Sequence, residues 1–171
     1  PTSLITSYTP TAGDISAGTV SFLLTSTGNG GCPAVTKAVT HTLTPAPTLN
    51  QGSNQTICGD SAYVQLGATF TIATGVSWTS NGTGGTFSPN NATSNARYIP
   101  SAADVASGSV ILTASTTGNG TCSPIVKNLT ITITPVVTVT IPSTQNVCEN
   151  NSTVNLNATT TVATAVNWTT S

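Results

Sequence analysis

The chain has 171 residues, of which 4% are charged, 37% hydrophobic and 5% aromatic, with a net charge of −1. An ordinary soluble domain carries roughly 25% charged residues. Here Thr, Ser and Asn take their place, so nothing offers an electrostatic footprint for nucleic acid or an anionic membrane. No apolar run reaches the roughly 18 residues of a spanning helix, which excludes direct membrane insertion by one.

From the start, Thr11, Asp14 and Gly18 predict a helical turn with a capping-box start and a glycine stop. "STGNGGC" (Ser26 to Cys32) is a glycine-rich turn, and Thr44-Pro45 closes an alternating strand. Ala46 to Asn50 predicts an opening strand, "QTIC" a short edge segment, and Tyr63 to Ile72 a second strand. Gly75 to Ser80 carries Trp78 on a third strand. "SNGTGG" is a turn, "TFSP" a fourth strand, and Ala96 to Ile99 a fifth that Pro100 ends. Ser101, Asp104 and Gly108 repeat the helical turn. Val110 to Thr116 is the sixth strand, "TGNGTC" a hairpin turn, and Ile125 to Thr134 the seventh. Val136 to Ile141, "QNVC" and Val154 to Val162 then restart the series.

It restarts because the chain is a tandem repeat with a period of about 90 residues. Shifted by that amount, Tyr8 falls on Tyr98, Asp14 on Asp104, Cys32 on Cys122, Cys58 on Cys148 and Trp78 on Trp168. Roughly 30 of about 81 overlapping positions are identical, with no insertion or deletion. That period suits one small sandwich domain and is too long for a solenoid rung. Residues 46–135 form one complete unit, 1–45 the C-terminal half of the unit before it, and 136–171 the N-terminal half of the next.

Seven short strands with regular turn signals predict an all-β, immunoglobulin-like sandwich. Trp78, Trp168, Tyr98, Leu129 and Ile131 are the expected core, with Val76, Val110 and Leu112 around them. The Gly-Asn-Gly of each hairpin supplies positive φ and is not a phosphate cradle: no helix follows it, and no Lys-Ser/Thr completes a nucleotide loop.

Parity on the last strand puts Lys127, and Lys37 in the other copy, on the apolar side with Leu129 and Ile131. The expectation is a lysine at the strand's mouth whose stem lies along the core edge. The sharper reading is an internal Lys–Asn isopeptide bond, for which only Asp60 or Asp104 could serve as the acid. His41 shares that face and is expected to pack there.

Two cysteines per repeat in a chain with so few charges read as disulfide chemistry. The favoured pairing is Cys58 with Cys122, closing a loop of about 64 residues worth roughly 4 kcal/mol by the chain-entropy argument. It leaves Cys32 and Cys148 with partners outside these residues. Pairing Cys32 with Cys58 and Cys122 with Cys148, between neighbouring domains, stays open, as does cross-linking between chains. Sequons at Asn54, Asn119 and Asn128 are expected by chance in so Asn- and Thr-rich a chain. "DSA" at Asp60-Ser61-Ala62 makes Ser61 a candidate for O-glycosylation, though Asn150-Asn151-Ser152 replaces it in the other copy.

The runs "GTFSPNN", "YIPSAADVASGSV" and "TGNGTC" resemble the PKD-like, immunoglobulin-like repeats of giant Bacteroidota cell-surface proteins. The resemblance covers the whole chain. It implies a secreted surface adhesin or filament, often exported by the type IX route and in some cases linked to gliding. The short Ser61 signal belongs to the same phylum.

The expected function is therefore structural: a spacer in an extracellular fibre or adhesin stalk, touching neighbouring repeats and open to homo-association into filaments. The alternative is a carbohydrate- or partner-binding module, for which Tyr63 is the one evident aromatic platform. Catalysis has no support, because no Ser-His-Asp or paired-carboxylate set assembles from Asp14, Asp60, Asp104 and Glu149. No cofactor is expected, and neither zinc nor calcium finds a ligand cluster in the sequence.

Overall fold

The computed structural model describes residues 3–150 and 153–170. Helix α1 (Ala12–Ala17) leads into strands β1 (Thr19–Thr25) and β2 (Thr36–Thr42), which pair antiparallel. The central region follows with β3 (Thr48–Asn50), β4 (Gln55–Cys58), β5 (Val64–Gln65), β6 (Thr69–Thr71), β7 (Gly75–Ser80), β8 (Thr86–Ser88) and β9 (Arg97–Ile99). Helix α2 (Ala102–Ser107), β10 (Ser109–Thr117) and β11 (Val126–Thr134) complete it. Strands β12 (Thr138–Thr140) and β13 (Thr159–Thr161) then pair as β3 and β6 do.

The fold is an all-β sandwich. One layer has the strand order β4-β11-β10-β7, and the facing layer is built of the ladders β5-β9-β8 and β3-β6. Alternation decides which side of each strand is inside: Val110, Leu112, Ala114 and Thr116 of β10 are buried, as are Leu129, Ile131 and Ile133 of β11. Trp78 and Tyr98, from opposite layers, are both 0% exposed. Burying each large apolar side chain stabilises the sandwich by about 1.5–3 kcal/mol.

Both helices are set by local signals. Ser101 and Asp104 form a complete capping box on α2, Thr11 and Asp14 do so on α1, and left-handed Gly108 and Gly18 end them. The expected single turn is in fact six residues in each copy. The hairpin glycines Gly118 and Gly120 have φ of 64° and 61°, the positive values their turn was expected to need.

Other expectations change. The strand foreseen over 63–72 is two short strands in separate ladders, divided around Gly67; between them Leu66 and Ala68 donate to the carbonyls of Ala96 and Ser94. "QNVC" is not a strand, although its counterpart β4 is. The reason is tertiary: β4 exists by pairing with β11, and among the described residues after Pro135 nothing corresponds to β11. Trp168 is 44% exposed, against the expectation of a core position, because nothing corresponding to β10 and β11 covers it. In residues 1–45 Val39 is 51% exposed where its counterpart Leu129 is 1%.

Candidate functional site

Two features stand out: a buried Tyr–Asp pair, and the two ends of the central sandwich. β9 delivers Tyr98 and the first turn of α2 delivers Asp104. The Tyr98 hydroxyl donates to Asp104 Oδ2 at 2.9 Å, and the Ser101 amide donates to the same oxygen at 2.9 Å. The Ser101 hydroxyl accepts from the Asp104 amide and donates to the Thr83 carbonyl at 2.6 Å. Burial, reinforced by the Asp104 carboxylate and opposed by a hydrogen bond with Ser80, raises the Tyr98 pKa above the ordinary 10.0. On the surface of the first copy the Tyr8–Asp14 bond lowers the Asp14 pKa below 3.8, with help from Thr11.

The turn "SNGTGG" does more than reverse the chain. A Cβ at Gly82 would fall on Asp104 Oδ1, and one at Gly85 on the Tyr98 hydroxyl, so these glycines let the turn close over the pair. Sequence reasoning assigned them only to a turn. The repeated Tyr and Asp, six residues apart in both copies, were the available signal for the pair itself. Trp78 is held likewise, with Nε1–H donating to the Thr93 carbonyl and Asn91 Nδ2–H donating to the Trp78 carbonyl.

The ends of the sandwich correct the expected disulfide. Cys58 stands opposite Thr134, at the end of β11, whereas Cys122 precedes β11 by a few residues at its start. A nine-residue strand separates the two cysteines by about 27 Å along its axis. A disulfide tolerates Cα separations only up to about 6.8 Å, so Cys58 and Cys122 of one unit cannot bond. Cys32, Cys58, Cys122 and Cys148 are all free thiols. Cys122 Sγ lies instead 3.8 Å from the Thr44 carbonyl and 3.7 Å from that of Pro45, outside its own sandwich.

The remaining candidates are dispersed. Lys127 is exposed and pairs in register with Ala114, while Asp104 is engaged with Tyr98 and Asp60 is exposed. Lys37, also exposed, lies opposite Leu24, so neither lysine has the buried setting that an isopeptide bond was expected to need. Ser61 is half-buried, its amide bonded to the Cys58 carbonyl; Asn151 and Ser152, its neighbours in the repeat comparison, lie outside the described residues. Asn54 Oδ1 accepts from the Thr130 amide, Asn128 Oδ1 from the Thr113 hydroxyl, and Asn119 Nδ2 donates to the Thr116 carbonyl. His41 packs edgewise on Phe22 at 5.9 Å. Tyr63, the expected platform, has the Arg97 guanidinium 4.5 Å above its ring, a pairing the sequence did not suggest.

Among the described residues no group of three His, Cys, Asp or Glu gathers to hold a metal ion, and no helix is long and apolar enough to cross a membrane. The sequence matches no protein-family model and no curated protein. Among solved structures the chain is similar to the extracellular cadherin domains 3–6 of protocadherin gamma B2, with a TM-score of 0.37 and 9% identity over 77% of this chain. It spans 37% of that chain's length.

Proposed function

We propose that this chain is a section of an extracellular fibre or cell-surface adhesin stalk, built from tandem immunoglobulin-like units whose boundaries fall after Pro45 and Pro135. The observation that carries the reading is the parallel pairing of β4 with β11. β4 belongs to the N-terminal part of the unit and β11 to its end. Tension applied through Pro45 and Pro135 draws β4 toward its own start and β11 toward its own finish. The two strands are loaded along their length, so the hydrogen bonds between them must fail together and not one at a time. That is a useful design for a load-bearing spacer.

The uncovered halves support an array. Tyr8, Phe22, His41 and Leu43 line an open groove where their counterparts in the central unit are buried. Trp168 and Leu156 are exposed where Trp78 and Leu66 are buried. Each half displays the face that the other kind of half covers in residues 46–135, so adjoining repeats, or a second copy, complete the units. The resemblance of "GTFSPNN" and "YIPSAADVASGSV" to Bacteroidota surface repeats supports secretion to the cell surface. A low-charge, Thr-rich exterior suits lateral association into filaments.

Electron microscopy of the native protein tests this. A unit with strands of about nine residues should advance a filament by about 40 Å once loops are included. Beaded or helical filaments with that repeat are expected; compact isolated particles would overturn the reading.

A further inference from the structure

Each of the two junctions between units holds a cysteine beside the last threonine of a unit, from one side at Thr134 and from the other at Thr44. Within the central sandwich Cys58 is the register partner of Thr134, and the Gly59 amide donates to the Thr134 carbonyl at 2.8 Å. The edge-strand cysteine of a unit therefore sits beside the last threonine of that unit. Thr44 is the counterpart of Thr134 one repeat earlier. The Cys122 thiol reaches across to it, 3.8 Å from the Thr44 carbonyl. The hairpin cysteine of a unit therefore sits beside the last threonine of the unit before.

We infer that these two positions meet: at every junction the edge-strand cysteine of one unit forms a disulfide with the hairpin cysteine of the next. The inference rests on the tandem-array reading and adds a covalent staple to it. Neighbouring strands lie about 4.8 Å apart, so a cysteine paired with Thr44 and one touching its carbonyl share that residue as a neighbour, and a disulfide needs their Cα atoms within about 6.8 Å. The same geometry accounts for the free thiols of Cys122 and Cys58. The junction at Thr44 has Cys122, but the described residues before Pro45 form only α1, β1 and β2, with no counterpart of β4. The junction at Thr134 has Cys58, but the described residues after Pro135 form only β12 and β13, with no closing hairpin among them.

Two thiols lose two protons and two electrons as the S–S bond forms. A small-molecule disulfide such as oxidised glutathione accepts both electrons and leaves as two thiols. The bond would fix the rotation of one unit on the next and stiffen the fibre at its linkers.

The test extends the full chain at Ser171 with a second copy of residues 82–135, which completes the third unit. Cys122→Ser in the original hairpin leaves the appended hairpin cysteine as the sole partner expected for Cys58. After folding in a glutathione redox buffer and digestion without reduction, mass spectrometry should find Cys58 joined to the appended cysteine in nearly all molecules. Cys58→Ser should remove that link and leave the appended thiol free. A free Cys58, or one joined elsewhere, overturns the inference. X-ray scattering of the same sample separates the two readings: an elongated particle with Cys58 free sinks the staple alone, and a compact particle sinks the array as well. Should near-ultraviolet circular dichroism show the extended chain unfolded, non-reducing digestion of the native protein decides. Edge-strand peptides joined to the following unit's hairpin support the staple, and free thiols at both overturn it.

Discussion

The Tyr98 hydroxyl donates to Asp104 Oδ2 at 2.9 Å within the central core, with Tyr98 0% and Asp104 2% exposed. The equivalent bond between Tyr8 and Asp14, 2.7 Å long, forms on an uncovered surface. The same six-residue loop thus makes the same contact in two very different surroundings. Removing the hydroxyl leaves each carboxylate oxygen its backbone partner, Ser101 or Thr11, but only at buried Asp104 is the lost bond shielded from replacement by water.

Tyr98→Phe should therefore destabilise the central unit by about 1–3 kcal/mol, the cost of stripping a partner from a buried polar group. Urea unfolding of the full chain, followed through Trp78 in a Trp168→Phe background, reads this directly. Tyr8→Phe in the same assay should leave the transition unchanged.

Alkaline pH should weaken the fold through the same residue. The folded state holds the Tyr98 proton more tightly than the unfolded chain does, because burial raises its pKa above 10.0. The stability it contributes is full below pH 10 and is lost as pH climbs through the raised value. Melting temperatures measured from pH 8 to pH 11 should fall at the upper end, and less steeply in Tyr98→Phe. Equal slopes in both proteins would assign the effect elsewhere.

The glycines of the "SNGTGG" turn should separate into structural and tolerant positions. Gly85→Ala drives a methyl group onto the Tyr98 hydroxyl and should cost about 1–3 kcal/mol, as overpacking does. At Gly67 an added Cβ meets nothing within 4 Å, so Gly67→Ala should be neutral or stabilise by up to about 1 kcal/mol. Comparative thermal melts of the two variants distinguish these outcomes.

Ile72 and Val162, at the same place in successive repeats, hold φ of 66° and 69°, values strained for β-branched side chains. Ile72 is also 46% exposed, so little packing is lost with its side chain. Ile72→Gly should relieve about 1 kcal/mol of backbone strain and leave the melting temperature equal or higher. A fall of several degrees would show that the isoleucine's contacts outweigh the strain.

The two tryptophans should report the asymmetry of the repeats. With Trp168→Phe, the remaining Trp78 should emit at short wavelength and resist acrylamide quenching. With Trp78→Phe, Trp168 should emit like a solvated indole and be quenched readily, and it should turn blue if a second copy or an added unit covers it.

Local order was legible in the chain. The capping boxes at Thr11–Asp14 and Ser101–Asp104, the positive-φ glycines of both hairpins, the alternation of β10 and β11 and the repeat itself depend on residues a few positions apart. Physical chemistry at that range is written directly in sequence, and so is the sandwich class that follows from it. Tertiary structure decided the rest. Whether "QTIC" is a strand and "QNVC" is not depends on β11. Whether Trp78 is buried and Trp168 bare depends on which strands face them. The placement of Cys58 and Cys122 at opposite ends of one sandwich, which overturned their pairing, follows from the parallel register of β4 on β11. Spacing along a chain carries no information about distance across a sheet, and only the folded pairing of strands supplies it.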